Sequence, residues 1–198
     1  MKEIKYKKSW TWWIILILVV IIVWSSYNKM VSGEENVKAQ WGNVENVYQR
    51  RADLIPNLVN TVKGYAAHEQ ETFTQVVEAR SKATGVNIDP DQLNPAAIQK
   101  FQEAQEGLSS ALGKLLVIVE RYPDLKASQN FLELQAQLEG TENRIAVERR
   151  KYNEEARNFN KRIKRFPGIF LNKFFGFEEK GYFEAKEGAE NAPEVSFE

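Results

Sequence analysis

Residues 10–27 read WTWWIILILVVIIVWSSY, an 18-residue run from Trp10 to Tyr27 with no charge and no proline. As a helix rising about 1.5 Å per residue it spans roughly 27 Å, close to the ~30 Å hydrocarbon core of a bilayer. Trp10, Trp12 and Trp13 stand at one end, Trp24 and Tyr27 at the other. Amphipathic rings prefer those membrane–water interfaces. The run therefore predicts a transmembrane helix with aromatic anchors. Its length, and an ending in Trp-Ser-Ser-Tyr rather than small residues of the A-x-A kind, favour a retained anchor over a cleaved signal peptide. Lys2, Lys5, Lys7 and Lys8 precede it within a basic segment, 1–9, while the comparable window beyond holds only Lys29 and Lys38. The positive-inside rule then predicts a cytoplasmic N-terminus and an outward-facing bulk.

The apolar register of the anchor continues past it. Tyr27, Met30, Glu34, Val37, Trp41, Val44, Tyr48, Arg51, Ile55, Leu58, Val62 and Tyr65 step by threes and fours, the seam of a helix packed at a shallow angle on its neighbours. The membrane helix is thus expected to run straight into the first bundle helix. Pro56 falls inside this stretch, where it removes the hydrogen bond to the Ala52 carbonyl and bends the axis. A second helix is expected from Glu69 to Ala83, with Phe73, Val76, Val77 and Arg80 on one face; the pattern leaves Tyr65–His68 open between turn and helix. Thr84–Asn94 has loop composition. Asn94-Pro95 then supplies an N-cap and first helical residue, and a third helix is expected to reach Tyr122. The fourth is expected as one rod from Asp124 to Arg165, about 60 Å long. These elements predict an all-α fold: a transmembrane helix, 10–27, continuing into an elongated up-and-down antiparallel four-helix bundle, 28–166. Residues 167–198 are an aromatic segment and an acidic tail, with loose order expected from Glu178 on.

Composition excludes several functions. The chain has 27 basic and 27 acidic residues, and beyond residue 27 the balance is 23 to 26, giving no positive field for nucleic acid. It has no cysteine and one histidine, His68. An H-E-x-x-H zinc helix fails at Thr72 and a Glu-x-x-His di-iron pair fails at Tyr65. G-x-S-x-G, P-loop and dinucleotide glycine patterns are absent too. No catalytic, cofactor or metal residue is assigned, and the chain is expected not to be an enzyme.

Three charges occupy seam positions: Arg51, Glu142 and Arg149. A lone buried charge costs several kcal/mol, so each needs a partner, and antiparallel packing would let Arg51 reach Glu142. Such a cluster fixes register; the alternative is a polar site for a small ligand. Asp53 is expected to cap or to pair with Arg50. The segment Ile169–Phe177, IFLNKFFGF, follows Lys161, Arg162, Lys164 and Arg165. It either folds back onto the bundle or rests on the bilayer, with Phe170, Phe174 and Phe175 and those four basic residues as a second membrane contact.

Gln49–Val59 (QRRADLIPNLV), Val62–Tyr65 with His68-Glu69, Tyr122–Ala127 (YPDLKA), the Phe131/Leu134/Leu138 run and Gly140–Ala146 (GTENRIA) resemble the signature of the LemA family. Arg149, Tyr152-Asn153, Gly176-Phe177 and Tyr182–Glu184 extend the likeness, which covers nearly the whole chain after the anchor. The resemblance implies a bacterial membrane protein with one N-terminal span and a long helical bundle, and it supplies no activity; one branch of the family resembles proteins of magnetosome membranes. The expected function is a non-enzymatic membrane-anchored scaffold of the bacterial inner membrane. Its expected partners are the lipid bilayer, other membrane or envelope proteins, or a second copy. The alternatives are a lipid-binding surface module and a small-ligand receptor.

Overall fold

The computed structural model describes residues 7–184, and the regular structure among them is entirely helical. The all-α expectation holds. The basic N-terminal segment is described only from Lys7, and the acidic tail beyond Glu184 lies outside the described residues.

Helix α1, Lys7–Lys63, is unbroken for 57 residues. Its first part stands free of the protein: Trp10 to Ile22 are 47–72% exposed wherever the side chain is a large hydrophobe. This is a stretch long and apolar enough to cross a membrane. From Met30 onward the seam turns inward, and Met30, Val37, Trp41, Val44, Tyr48, Arg51, Ile55, Leu58 and Val62 are all buried. At the distal end Tyr65 leaves the seam, half exposed, and Ala66 takes its place. The chain has already turned there, with the Ala66 N–H on the Val62 carbonyl at 2.9 Å. Tyr65–His68 is thus a turn.

Helix α2, Gln70–Gly85, buries Phe73, Val76 and Ala83. Val77, expected on the same face, is 54% exposed: a 16-residue helix packed on α1 and α3 buries a narrow stripe. Asn94 caps α3, Pro95–Val119, its side chain accepting from the Ala97 N–H at 2.9 Å. The rod expected from Asp124 to Arg165 is two helices, α4, Pro123–Lys126, and α5, Gln129–Lys164. Burial of Leu125 folds α4 against the bundle end, and Ser128, extended at φ −67° and ψ 127°, restarts the chain as the N-cap of α5. A short helix α6, Gly168–Phe175, closes the membrane-proximal end.

The principal pairings are α1 with α5 and α2 with α3. Two cores result. The distal one gathers Ile55, Leu58, Val62, Phe73, Val76, Leu108, Leu115 and Phe131; the proximal one gathers Met30, Val37, Trp41, Ile98, Phe101, Tyr152, Phe159 and Phe183. Arg51 stands on α1 between them.

Candidate functional site

Pro56 lies within α1 and has no N–H, so the Ala52 carbonyl lacks a helical donor. The side chain of Arg80 on α2 fills the gap, donating through Nε to that carbonyl at 2.8 Å. One turn back, Arg51 is 2% exposed. Its guanidinium donates to Glu142 Oε1 at 2.7 Å on α5, and to Gln105 Oε1 at 2.5 Å and Ser109 Oγ at 3.0 Å on α3. It also lies 5.1 Å from the Tyr48 ring centroid. Three helices, α1, α3 and α5, meet on one cation. Burial pushes the Tyr48 hydroxyl up from its ordinary range, against the pull of Arg149 and Arg51.

Arg149 reaches this cluster at the Tyr48 hydroxyl rather than at Glu142. It also turns to the tail, donating to the Glu184 carbonyl at 2.6 Å, with its guanidinium 4.9 Å from the Phe183 ring. Gln105 and Ser109, which carried no seam signal of charge, supply the remaining contacts. Asp53 neither caps nor pairs with Arg50; it accepts from Gln49 Nε2 at 2.8 Å. His68 is exposed in the turn after α1.

Residues Phe177–Glu184 differ most from expectation. They form an ordered strap in the cleft between α3 and α5. Asn160 on α5 accepts from the Lys180 N–H at 2.9 Å and donates to its carbonyl at 2.8 Å. Two turns along, Asn153 does the same for Phe183, at 2.8 Å each way. Each amide presents the donor–acceptor pair that a neighbouring strand would. The Gly181 N–H donates to the Leu93 carbonyl at 2.8 Å. Phe183 is 4% exposed and stacks on Trp41 at 6.1 Å, with Tyr152 at 5.4 Å and Phe101 at 6.3 Å. Lys180, 2% exposed, donates to Glu34 Oε1 at 2.6 Å. The only advance signal was a pair of aromatics, Tyr182-Phe183, inside an acidic stretch.

Beyond the strap the cleft holds no other described residue. Its distal half is about 440 Å³, floored by Leu58 and walled by Leu112 and Leu116 of α3 and Leu138 of α5, with Glu139 and Glu142 at the rim.

At the opposite end α6 packs beside the membrane stretch, with Tyr27 against Phe175 at 4.8 Å and Phe177 at 6.1 Å. Leu171 and Phe177 face the proximal core. Phe166, Phe170 and Phe174, four residues apart, are 81%, 60% and 85% exposed. One face folds back and the other remains bare. Lys161, Arg162, Lys164 and Arg165, in the last turn of α5 and just after it, are exposed nearby. Among the described residues no group of three His, Cys, Asp or Glu side chains is placed to hold a metal ion.

An apolar helix that leaves the protein body and an all-α bundle built on its continuation define a membrane-associated helical-bundle protein. Residues 40–197 match the model of the LemA family, and the chain belongs to that family. It is 28% identical over 179 residues to the Magnetosome protein MamQ 2 of Paramagnetospirillum magneticum, covering 81% of this chain and 65% of that relative. The Magnetosome protein MamQ of Magnetospirillum gryphiswaldense is 27% identical over 192 residues, 86% of this chain and 69% of the relative. Protein LemA of Metamycoplasma hominis is 28% identical over 139 residues, 70% of this chain and 60% of the relative. The chain thus spans about two thirds of the length of the curated relatives it matches.

Proposed function

We propose that this protein is a non-enzymatic scaffold of the bacterial inner membrane that seats a segment of another envelope protein in the open half of the α3–α5 cleft. The observation that carries the reading is the cleft itself. Its proximal half already holds an extended chain, the strap, and its distal half continues between the same two helices with leucine walls, formed by Leu112, Leu116 and Leu138. The segment it fits is apolar with a flanking basic residue, to meet Glu139 and Glu142. The Arg51 cluster acts as the register pin that keeps the cleft walls aligned. A photo-crosslinking residue in place of Leu116, activated in cells, should give one discrete adduct, lost when Leu138→Trp fills the groove. An adduct of twice the chain mass assigns the seat to a second copy. No adduct, or one indifferent to Leu138→Trp, ends the reading.

The N-terminus is proposed to lie in the cytoplasm and the bundle outside. The positive-inside rule weighs charges close in sequence to the span, so Lys2, Lys5, Lys7 and Lys8 count and the distant basic residues before α6 do not. With no native cysteine, Ser9→Cys and Ser196→Cys are single reporters for an impermeant maleimide; labelling at position 9 alone on intact cells reverses the assignment.

A second reading has its own support in α6. The segment touches Tyr27 through Phe175 and leaves Phe166, Phe170 and Phe174 bare, so α6 would lie on the bilayer as an amphipathic contact. Liposome binding by the anchor-free domain, abolished by Phe170→Asp with Phe174→Asp, is the expected result; no binding by the intact domain excludes it.

A further inference from the structure

Where α1 leaves its apolar stretch, a cleft of about 660 Å³ opens on one helix face, lined by Ile21, Trp24, Ser25, Lys29, Ser32 and, from α5, Arg162. Ile21, Ser25, Lys29 and Ser32 recur at four, four and three residues, so they stack along a single stripe. The stripe changes from apolar to polar within one turn. Arg162 is drawn onto it by two features. Its Nη1 donates to the Lys29 carbonyl at 3.1 Å, and Gly33 leaves the room it occupies, since a Cβ there would stand 2.8 Å from that nitrogen. Among the described residues neither Lys29 nor Arg162 has a carboxylate within ion-pair distance; Glu35, flanking the stripe, is engaged by Lys38, and Glu34, on the inward seam, by Lys180.

We infer that this cleft is a binding site for the phosphate headgroup of an anionic phospholipid. The inference rests on the apolar part of α1 spanning a bilayer. A 30 Å core centred on residues 10–27 ends near Tyr27, so Lys29 and the guanidinium tied to its carbonyl fall in the headgroup layer. An acyl chain lying along Ile17 and Ile21 brings its phosphate to Ser25 and Lys29. The uncommitted N–H groups of Arg162 offer a planar fork to the phosphate oxygens, Lys29 adds a point charge, and the serine hydroxyls donate. Trp24 covers the glycerol level. A choline headgroup would bring its own cation against both side chains, so the site selects net negative lipids.

The full chain is reconstituted in nanodiscs of equal phosphatidylglycerol and phosphatidylcholine, released, and its retained lipid identified by native mass spectrometry. The wild type should retain phosphatidylglycerol preferentially. Arg162→Gln and Lys29→Gln should each lower that preference about fivefold, the worth of one basic residue near an anionic surface, while Lys82→Gln, at an exposed position of α2 away from the cleft, leaves it unchanged. Equal retention of both lipids by the wild type, or full preference in both glutamine variants, overturns the site. Inorganic phosphate should not displace the lipid; displacement assigns the site to free phosphate and overturns the lipid assignment. Co-elution with the discs is scored separately. A chain that never enters the disc refutes the membrane span, whereas an inserted chain without lipid preference refutes the site alone.

Discussion

Arg80→Met tests whether the cation on α2 is there because of the proline on α1. Ala52 is 3% exposed, so its carbonyl, deprived of a helical donor by Pro56, is out of reach of bulk water, and Arg80 Nε supplies the missing bond at 2.8 Å. Methionine keeps most of the apolar stem and removes the donor. A buried carbonyl left unpaired costs about 1–3 kcal/mol. For a chain of this size about 2 kcal/mol lowers the unfolding midpoint by roughly 4–8 °C. The control is Pro56→Ala, which returns a backbone N–H four residues after Ala52 and makes the arginine redundant. In that background Arg80→Met should cost less than about 0.5 kcal/mol, the limit within which uncoupled sites add. Thermal unfolding of the four proteins of this cycle, followed by far-ultraviolet circular dichroism in mild detergent, measures the coupling. Equal losses in both backgrounds would refute the reasoning, because the arginine would then act through something other than the orphaned carbonyl.

Removing Glu142 strands a guanidinium that is 2% exposed, whereas removing Arg51 leaves a carboxylate that is 48% exposed and open to water. Glu142→Leu should therefore cost about 3 kcal/mol and Arg51→Met about 1–2 kcal/mol, an order that denaturant unfolding checks. Gly181→Ala should lift the strap, because the added Cβ would meet Pro95 Cα at 2.7 Å and the Asn94 carbonyl oxygen at 2.9 Å, both backbone. Faster hydrogen exchange at the Lys180 and Phe183 amides is the readout. Burial holds the Tyr48 and Tyr152 hydroxyls above the ordinary value of 10.0. Their contribution to stability is complete below pH 10 and is lost as pH rises further, since the unfolded chain ionises first. Ultraviolet titration should find these two of the chain's seven tyrosines ionising only as the bundle unfolds.

Most of α1 was legible because one face of a long helix is buried continuously, and burial writes itself into the spacing of Met30 through Val62. The Ala52 carbonyl freed by Pro56 was legible too, since it follows from the covalent structure of proline. Its acceptance by Arg80 was not, because that depends on where α2 lies. The strap carries no periodicity. Eight residues of extended chain are held by side chains on α5, and Asn153 and Asn160 look like any polar residues of a helix surface until something lies across them. Arg149 was grouped with Arg51 by register alone; the strap, unseen in the pattern, takes it. The break at Ala127–Ser128 had a signal in Ser128, an N-cap residue type, masked by the proline-started α4 just before it. The open half of the cleft is a property of the α3–α5 spacing, which no single helix encodes.

With the apolar part of α1 placed in a bilayer, as proposed, the helix enters the core unbroken and no joint separates the membrane from the bundle. The far end of α1, Lys63, stands 36 residues beyond Tyr27, a rigid arm of about 54 Å. Spans tilt by about 20° on average, and by more where the hydrocarbon is thin. Over such an arm a 20° lean carries the tip about 18 Å sideways. Local bilayer thickness is thereby converted into a lateral position for the distal cleft, and the membrane's own dimensions help decide which neighbours it can meet.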